Sequence, residues 1–288
     1  MQKLSAIIAL SLTVIAILRS STVCLSSQEP TKEQIMNQDS EVNSTTDFND
    51  LTIKVVYDNN PYNQELGTAW GFSAFITGTD KTILFDTGGD GSLLLDNMKK
   101  LAIEPNNIDI VVLSHIHGDH TGGLNSFLEK NPSVSVYLPE SFPTKFKENI
   151  QKYGAQVIEV KQALKICENV YSTGQLGRLI KEHSLIIRTK AGLIVITGCA
   201  HPGIIKILTT VKDFMKGDIL LVMGGFHLEG TSKRNIEKII SALKQMNVQY
   251  VGPCHCSGHK ARTLFQKHFG TRYIEVGAGK VIKTAHLQ

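Results

Sequence analysis

The chain lacks the features of a nucleic-acid binder. It has 288 residues, no long basic run and a formal net charge of only +4. Nucleic acid is therefore not a required partner. It also lacks an apolar run long enough to span a bilayer comfortably. Residues 4–18, behind Lys3 and ahead of Arg19, Ser20 and Ser21, are too short for that. They have the length of an export-signal core. Residues 1–24 are thus expected to be a signal peptide, which puts the chain in the periplasm or outside the cell. An uncleaved N-terminal anchor is the alternative, and only that would tie the protein to a membrane. Cysteine is scarce, with five in all. Cys24 falls in or beside the leader. Cys167, Cys199, Cys254 and Cys256 do not have the spacing of a disulfide framework, even for an exported chain. Cys254 and Cys256 flank His255, so any role they have is local to it. Cys167 and Cys199 read as small buried apolar residues.

Large apolar side chains are almost missing from residues 25–50, which are read as a mobile linker. Order is expected from Leu51 onward. Residues 51–288 suffice for one sizeable catalytic domain. Period-two patterning predicts strands at 51–57, 72–77, 81–85, 108–113, 133–138, 157–160, 185–189, 193–197, 219–223 and 250–252. Helical spacing is found at 92–101, 124–130, 143–153, 204–215, 233–246 and 260–269. The tail at 273–284 is expected to close with strands, and Gly174–Gly177 to be a loop between halves. Strand clusters followed by helices, twice over, predict an α/β fold with two sheets face to face and helices outside.

One stretch is dense in chemistry. His115, His117, Asp119 and His120 follow directly on the apolar strand at 108–113. Imidazole and carboxylate suit borderline divalent ions, zinc first, with iron, manganese or magnesium as alternatives. Four such groups are more than one tetrahedral ion can use at normal angles, so two adjacent ions that ionise water are expected. His115 and His117 lie on one face of an extended segment and can reach one ion. No activated nucleophile accompanies them, because Ser73 and Cys199 lack the necessary surroundings.

The segment from Ser114 to Leu124, SHIHGDHTGGL, resembles the signature of the metallo-β-lactamase superfamily. Matching pieces follow in order: Phe85-Asp86-Thr87-Gly88, Thr197-Gly198-Cys199-Ala200-His201, Gly224-Gly225-Phe226-His227 and His255-Cys256-Ser257-Gly258. The resemblance runs from about Leu51 to Thr284. It implies a four-layer αββα sandwich of two mixed sheets with metals at one edge. It implies that His115, His117 and His201 hold one ion and that Asp119, His120 and His255 hold the second. Asp86 would orient a ligand from behind, the outer partner that a ligating imidazole needs. Asn60, in the loop after the first strand, and Trp70 are candidate substrate contacts. Glu182 and His183 lie in the central loop and could reach the pocket, but no motif assigns them a role.

One departure stands out. The superfamily often supplies a bridging carboxylate at the end of the strand after His201. Here that strand ends in Met223-Gly224-Gly225-Phe226-His227, with no acid before Glu229. His227 could replace the bridge, contact substrate, donate a proton or be a core histidine. The pieces around Asn59, Trp70, Cys199, His227 and His255 also resemble the dihydropterin synthase-like subfamily. Three functions follow as expectations. The first is hydrolysis of a small ester, lactone, amide or phosphodiester, with Asp119 and His227 as proton-handling residues. The second is the subfamily's transferase reaction, which joins a dihydropterin methyl group to a ribofuranosyl aminobenzene phosphate. The third is an inactive metal-binding sensor.

Overall fold

A computed structural model of the chain describes residues 51–287. The expected leader and linker lie outside the described residues. Among the described residues no helix is long and apolar enough to cross a membrane.

Two sheets carry the fold. The first holds β1 (Thr52–Asp58), β2 (Phe72–Thr77), β3 (Ile83–Phe85), β4 (Ile110–Val112), β5 (Ser135–Pro139), β6 (Gln156–Val160) and β13 (Val281–Lys283), in the order β13-β1-β2-β3-β4-β5-β6. The second holds β7 (Leu164–Cys167), β8 (Val170–Ser172), β9 (Leu185–Thr189), β10 (Gly192–Thr197), β11 (Ile219–Gly225) and β12 (Tyr250–Cys254), in the order β12-β11-β10-β9-β8-β7. Each sheet is antiparallel at one side and parallel at the other: β3 to β6 run parallel, as do β10 to β12. Parallel neighbours deliver their C-terminal ends to one edge, and the polar cluster sits there.

Strict alternation explains the layering. On β10, Ile194 and Ile196 face the first sheet while Leu193 and Val195 face outward to helices. On β3 and β4, Ile83, Phe85, Ile110 and Val112 face inward, with Leu84 and Val111 outward. Helices α1 (Gly91–Lys100), α3 (Leu124–Leu128) and α4 (Thr144–Tyr153) cover the outer face of the first sheet. Helices α5 (Ile204–Met215), α6 (Lys233–Gln245) and α7 (His259–Phe269) cover the second. The αββα expectation holds. Local signals set the helices. Asp90 caps α1 by accepting the Leu93 N–H at 2.8 Å, and Lys99 and Lys100 fill its last turn. On α5, Ile204, Ile207, Leu208, Val211 and Met215 make one buried stripe.

Two expectations need correction. The β7–β8 hairpin was not anticipated: its strands are only four and three residues long, below the length at which alternation is decisive. The tail forms a strand only at Val281–Lys283. The rest of it runs as irregular backbone against β1 and β12, tied by bonds such as Ile274 N–H to Val251 O at 2.8 Å.

His183 ties the sheets together. It is buried, with Nε2 2.9 Å from the Leu113 carbonyl beyond β4 and Nδ1 2.7 Å from Ser172 Oγ on β8. Burial selects the neutral ring, in which Nε2–H donates to the carbonyl and Nδ1 accepts from the hydroxyl. Burial holds its pKa at about 4, against an ordinary 6.5. Between those values the unfolded chain binds a proton that the folded chain refuses. Stability from this group is therefore present above pH 6.5 and lost as pH falls toward 4, on the order of 3 kcal/mol in total. His183→Gln is expected to flatten the acid slope of unfolding free energy across that window, measured by denaturant titration of metal-free protein. A slope identical to wild type would remove His183 from this role.

Candidate metal centre

Strand ends on both sheets supply the site. Asp86 follows β3; Ser114, His115 and His117 follow β4; Asp119 and His120 lie on the short helix α2 (Gly118–Thr121). Cys199 and His201 follow β10, His227 follows β11, and His255 and Cys256 follow β12. Asp86, Ala200, His227 and His255 all have positive φ, at 55°, 55°, 52° and 47°. They are half of the eight non-glycine residues in that region among the described residues. Such conformations cost on the order of 1–3 kcal/mol each and persist only where the surroundings over-determine them.

Two ligand clusters result. In the first, the side-chain donors of His115, His117 and His201 lie within 4.8 Å of one another. His115 Nε2 and His117 Nδ1 are 3.2 Å apart. In the second, Asp119 Oδ2 is 3.2 Å from His255 Nε2 and 3.6 Å from His120 Nε2. The His120 and His255 Nε2 atoms are 3.3 Å apart. A tetrahedral ion with nitrogen ligands at about 2.0–2.1 Å separates those ligands by about 3.3 Å. The 3.2 Å between His115 and His117 in the first cluster, and the 3.2 and 3.3 Å from His255 to Asp119 and His120 in the second, fit ions of that size. The clusters adjoin, with the His115 and His120 ring centroids 4.2 Å apart. All six residues named from the sequence are thus brought together at one edge.

Every ligating ring but one is held from behind by its Nδ1. His120 Nδ1 is 2.7 Å from Asp86 Oδ2, and the same carboxylate accepts Ser114 N–H and Ser114 Oγ–H at 2.7 Å each. His115 Nδ1 is 2.9 Å from Ser114 Oγ. His255 Nδ1 is 2.9 Å from Asn59 Oδ1. His201 Nδ1 is 2.8 Å from Glu182 Oε2. These contacts fix the tautomer that leaves Nε2 free for a metal. His117 is reversed and turns Nδ1 inward. Burial and the neighbouring imidazoles push His115 and His117 below their ordinary pKa, so both rings are neutral and ready to ligate. Burial raises the Asp119 carboxyl, but the bond from His255 and the charges of His120 and His255 outweigh it and hold the group below the usual carboxylate range.

Glu182 is the residue that the motifs left without a role. It is fully buried and accepts four hydrogen bonds: from the N–H groups of Cys199, Ala200 and His201 at 2.9, 2.8 and 2.9 Å, and from His201 Nδ1. Burial alone would raise its pKa; the bonds from His201 and the field of His115 hold it at about 2. Cys199 is a second residue missed. It is buried, as expected, but its sulfur stands 3.2 Å from His120 Nε2 and belongs to the second cluster. Asn60 does not offer its side chain to the mouth. Its amide nitrogen donates to Asp58 and its oxygen accepts from Arg262, an internal strut beneath Asn59. Trp70 is 51% exposed at the rim, its ring centroid 4.8 Å from that of His255. His227 is exposed, 4.7 Å between ring centroids from His201, with a ring nitrogen within 4.8 Å of the Cys256 sulfur.

Two mixed sheets between helices, with paired histidine and carboxylate clusters on one edge, define a metal-dependent enzyme fold. Residues 71–231 match the metallo-beta-lactamase superfamily, and the chain belongs to it. It is 29% identical over 270 residues to the 7,8-dihydropterin-6-methyl-4-(beta-D-ribofuranosyl)-aminobenzene-5'-phosphate synthase of Methanocaldococcus jannaschii, covering 78% of this chain and 92% of the synthase. Among solved structures it resembles Tm1679, a metal-dependent hydrolase of the beta-lactamase superfamily. The TM-score is 0.68 and the identity 30%, over 81% of this chain and 98% of that one. YhfI from Bacillus subtilis shares the fold at a TM-score of 0.60 with 13% identity, over 81% of this chain and 99% of YhfI.

Outer partners of this kind are worth roughly 10- to 100-fold in metal affinity. Glu182→Gln and Asp86→Asn are each expected to lower it by that factor, at different clusters. Competition against a chromophoric chelator, with one weakened step per variant, measures this. Unchanged binding in both variants would show that the carboxylates serve folding alone.

Proposed function

We propose that the protein is a metal-dependent hydrolase acting on a small ester, lactone, amide or phosphodiester. The observation that carries this reading is the match between donor spacings and ion size in two adjoining clusters, each braced from behind. Bound divalent ions, zinc first among them, lower the pKa of water and stabilise developing negative charge.

The chain's own residues do the rest. Asp119, partly open to solvent at 22% and kept ionised by its histidine neighbours, receives the proton of the attacking water. Asp86 and Glu182 hold His120 and His201 in one tautomer, so no proton is misplaced on the metal-facing nitrogens. Trp70 gives the mouth an aromatic face on which a planar or apolar part of the substrate rests. The loop before it is anchored to the body through Asn97, which accepts the Gly67 N–H at 3.0 Å and donates to Gly67 O and Val56 O at 2.9 Å each.

The similarity to the synthase along 92% of its length favours a second reading, a group transfer of the synthase type. There the same clusters would serve a leaving group and not water. Metal-loaded protein assayed on generic ester and phosphodiester substrates, beside a pterin-binding titration, separates the two. Hydrolysis without pterin binding supports the first reading; pterin binding without hydrolysis supports the second. Asp119→Ala is expected to lower hydrolysis about a hundredfold or more. His117→Ala should lower both turnover and metal content. Full turnover in both variants would defeat the assignment.

A further inference from the structure

A third group of metal-ligating atoms lies against the two clusters. Cys199 and Cys256, 57 residues apart in sequence, bring their sulfurs to 3.2 Å while both stay buried. With a ring nitrogen of His227 they form a set in which all donors lie within 4.8 Å of one another. The local backbone is shaped for this meeting. Gly225, at the end of β11, has no side chain where a Cβ would come within 2.7 Å of the Cys256 sulfur. His227, two residues on, adopts φ 52°, which turns its ring back toward His201 and Cys256. This is also the strand that carries no acid where the superfamily often places one.

We propose that Cys199, Cys256 and His227 form a soft metal subsite that shares the Cys199 sulfur with the second cluster and takes a thiophilic divalent ion. Thiolate and imidazole select zinc, cobalt(II) or iron(II) over magnesium or manganese. A Cys2His set with its fourth position open to water is a known catalytic geometry for zinc, and the exposed side of His227 leaves that position facing solvent. Binding replaces two thiol protons, which pass to solvent, by two metal–sulfur bonds. A tetrahedral ion with sulfur ligands at about 2.3 Å separates them by about 3.8 Å. The sulfurs need part by only about half an ångström to reach it, whereas closing a disulfide at about 2.05 Å needs roughly twice that movement. The inference rests in part on the adjoining clusters being metal sites, since the shared sulfur would bridge two ions.

The test uses the full chain, purified reduced and without oxygen, then titrated with cobalt(II). Wild type is expected to develop a near-ultraviolet thiolate-to-cobalt charge-transfer band. Cys256→Ser should lose roughly two-thirds of the band, because only the Cys199 bond to the second-cluster ion remains, and about one equivalent of bound metal. His227→Ala, an exposed position with little bearing on folding, should lose the same equivalent. His117→Ala should keep the band even if the hydrolase reading fails, which separates the two ideas. Three results would overturn the proposal: saturation without a thiolate band, a band and stoichiometry unchanged in both Cys256→Ser and His227→Ala, or a Cys199–Cys256 disulfide in the mass of the reduced, metal-loaded protein.

Discussion

The site depends on buried carboxylates bonded to the back of imidazoles. Asp86 and Glu182 are both completely buried. Removing an ion of that size from water costs several kcal/mol even after relaxation. Charge-assisted hydrogen bonds use both oxygens of each carboxylate; at Glu182 they outweigh the cost, whereas at Asp86 burial still raises the pKa and the bonds offset it only in part. A bond to the charged form is worth roughly twice a neutral one, and three or four converge on each group. Those bonds also point the metal-facing nitrogens. The same interaction that makes the charge tolerable in the interior therefore makes the site specific.

Placement of those carboxylates requires the sandwich. Asp86 belongs to the first sheet and grips His115's neighbour Ser114 and His120. Glu182 precedes β9 of the second sheet and grips the turn after β10. The two sheets meet through a buried layer rich in Ile, Val, Leu and Phe, and His183 bridges them next to the site. Close packing of that layer resists relative sliding. Side chains from strands in different sheets are thereby held to the sub-ångström tolerance that metal geometry demands. Left-handed residues at four strand ends are the local expression of this demand. A strand that simply continued would carry its side chains past the shared point.

How far the sequence revealed this follows from the range of each interaction. The histidine cluster was legible because strand, turn and ligands are contiguous from Ile108 to His120. The sheets were legible where strands are long and alternate, and the β7–β8 hairpin was not because it is too short to alternate. Asp86 was legible only through the resemblance. Glu182 bonds to residues 17 to 19 positions away in a loop with no motif, so nothing local marked it. Cys199 looked apolar by itself. Its meaning depends on His120, 79 residues away, and on Cys256, 57 residues away. Asn59 and Asn60 looked alike in the sequence. The bend that follows β1 sends one to His255 and the other to Asp58 and Arg262.

Charge balance gives the cysteine pair its place in the same logic. A pair of divalent ions, as proposed for the two clusters, would bring four positive charges into a largely buried edge. The carboxylates in contact with the cluster or its braces are Asp86, Asp119 and Glu182. A bridging carboxylate would add a fourth negative charge between the ions; the strand that could carry it ends in His227 instead. In the proposed subsite, a metal-bound thiolate at Cys199, which follows β10, one strand over, would supply that charge. It does so with a larger, softer donor that prefers zinc or iron to magnesium. In the proposed arrangement, sulfur in place of oxygen adds negative charge beside the clusters and narrows metal choice in one step. It also draws Cys256 and His227 toward the centre, which a carboxylate at the end of β11 would not require.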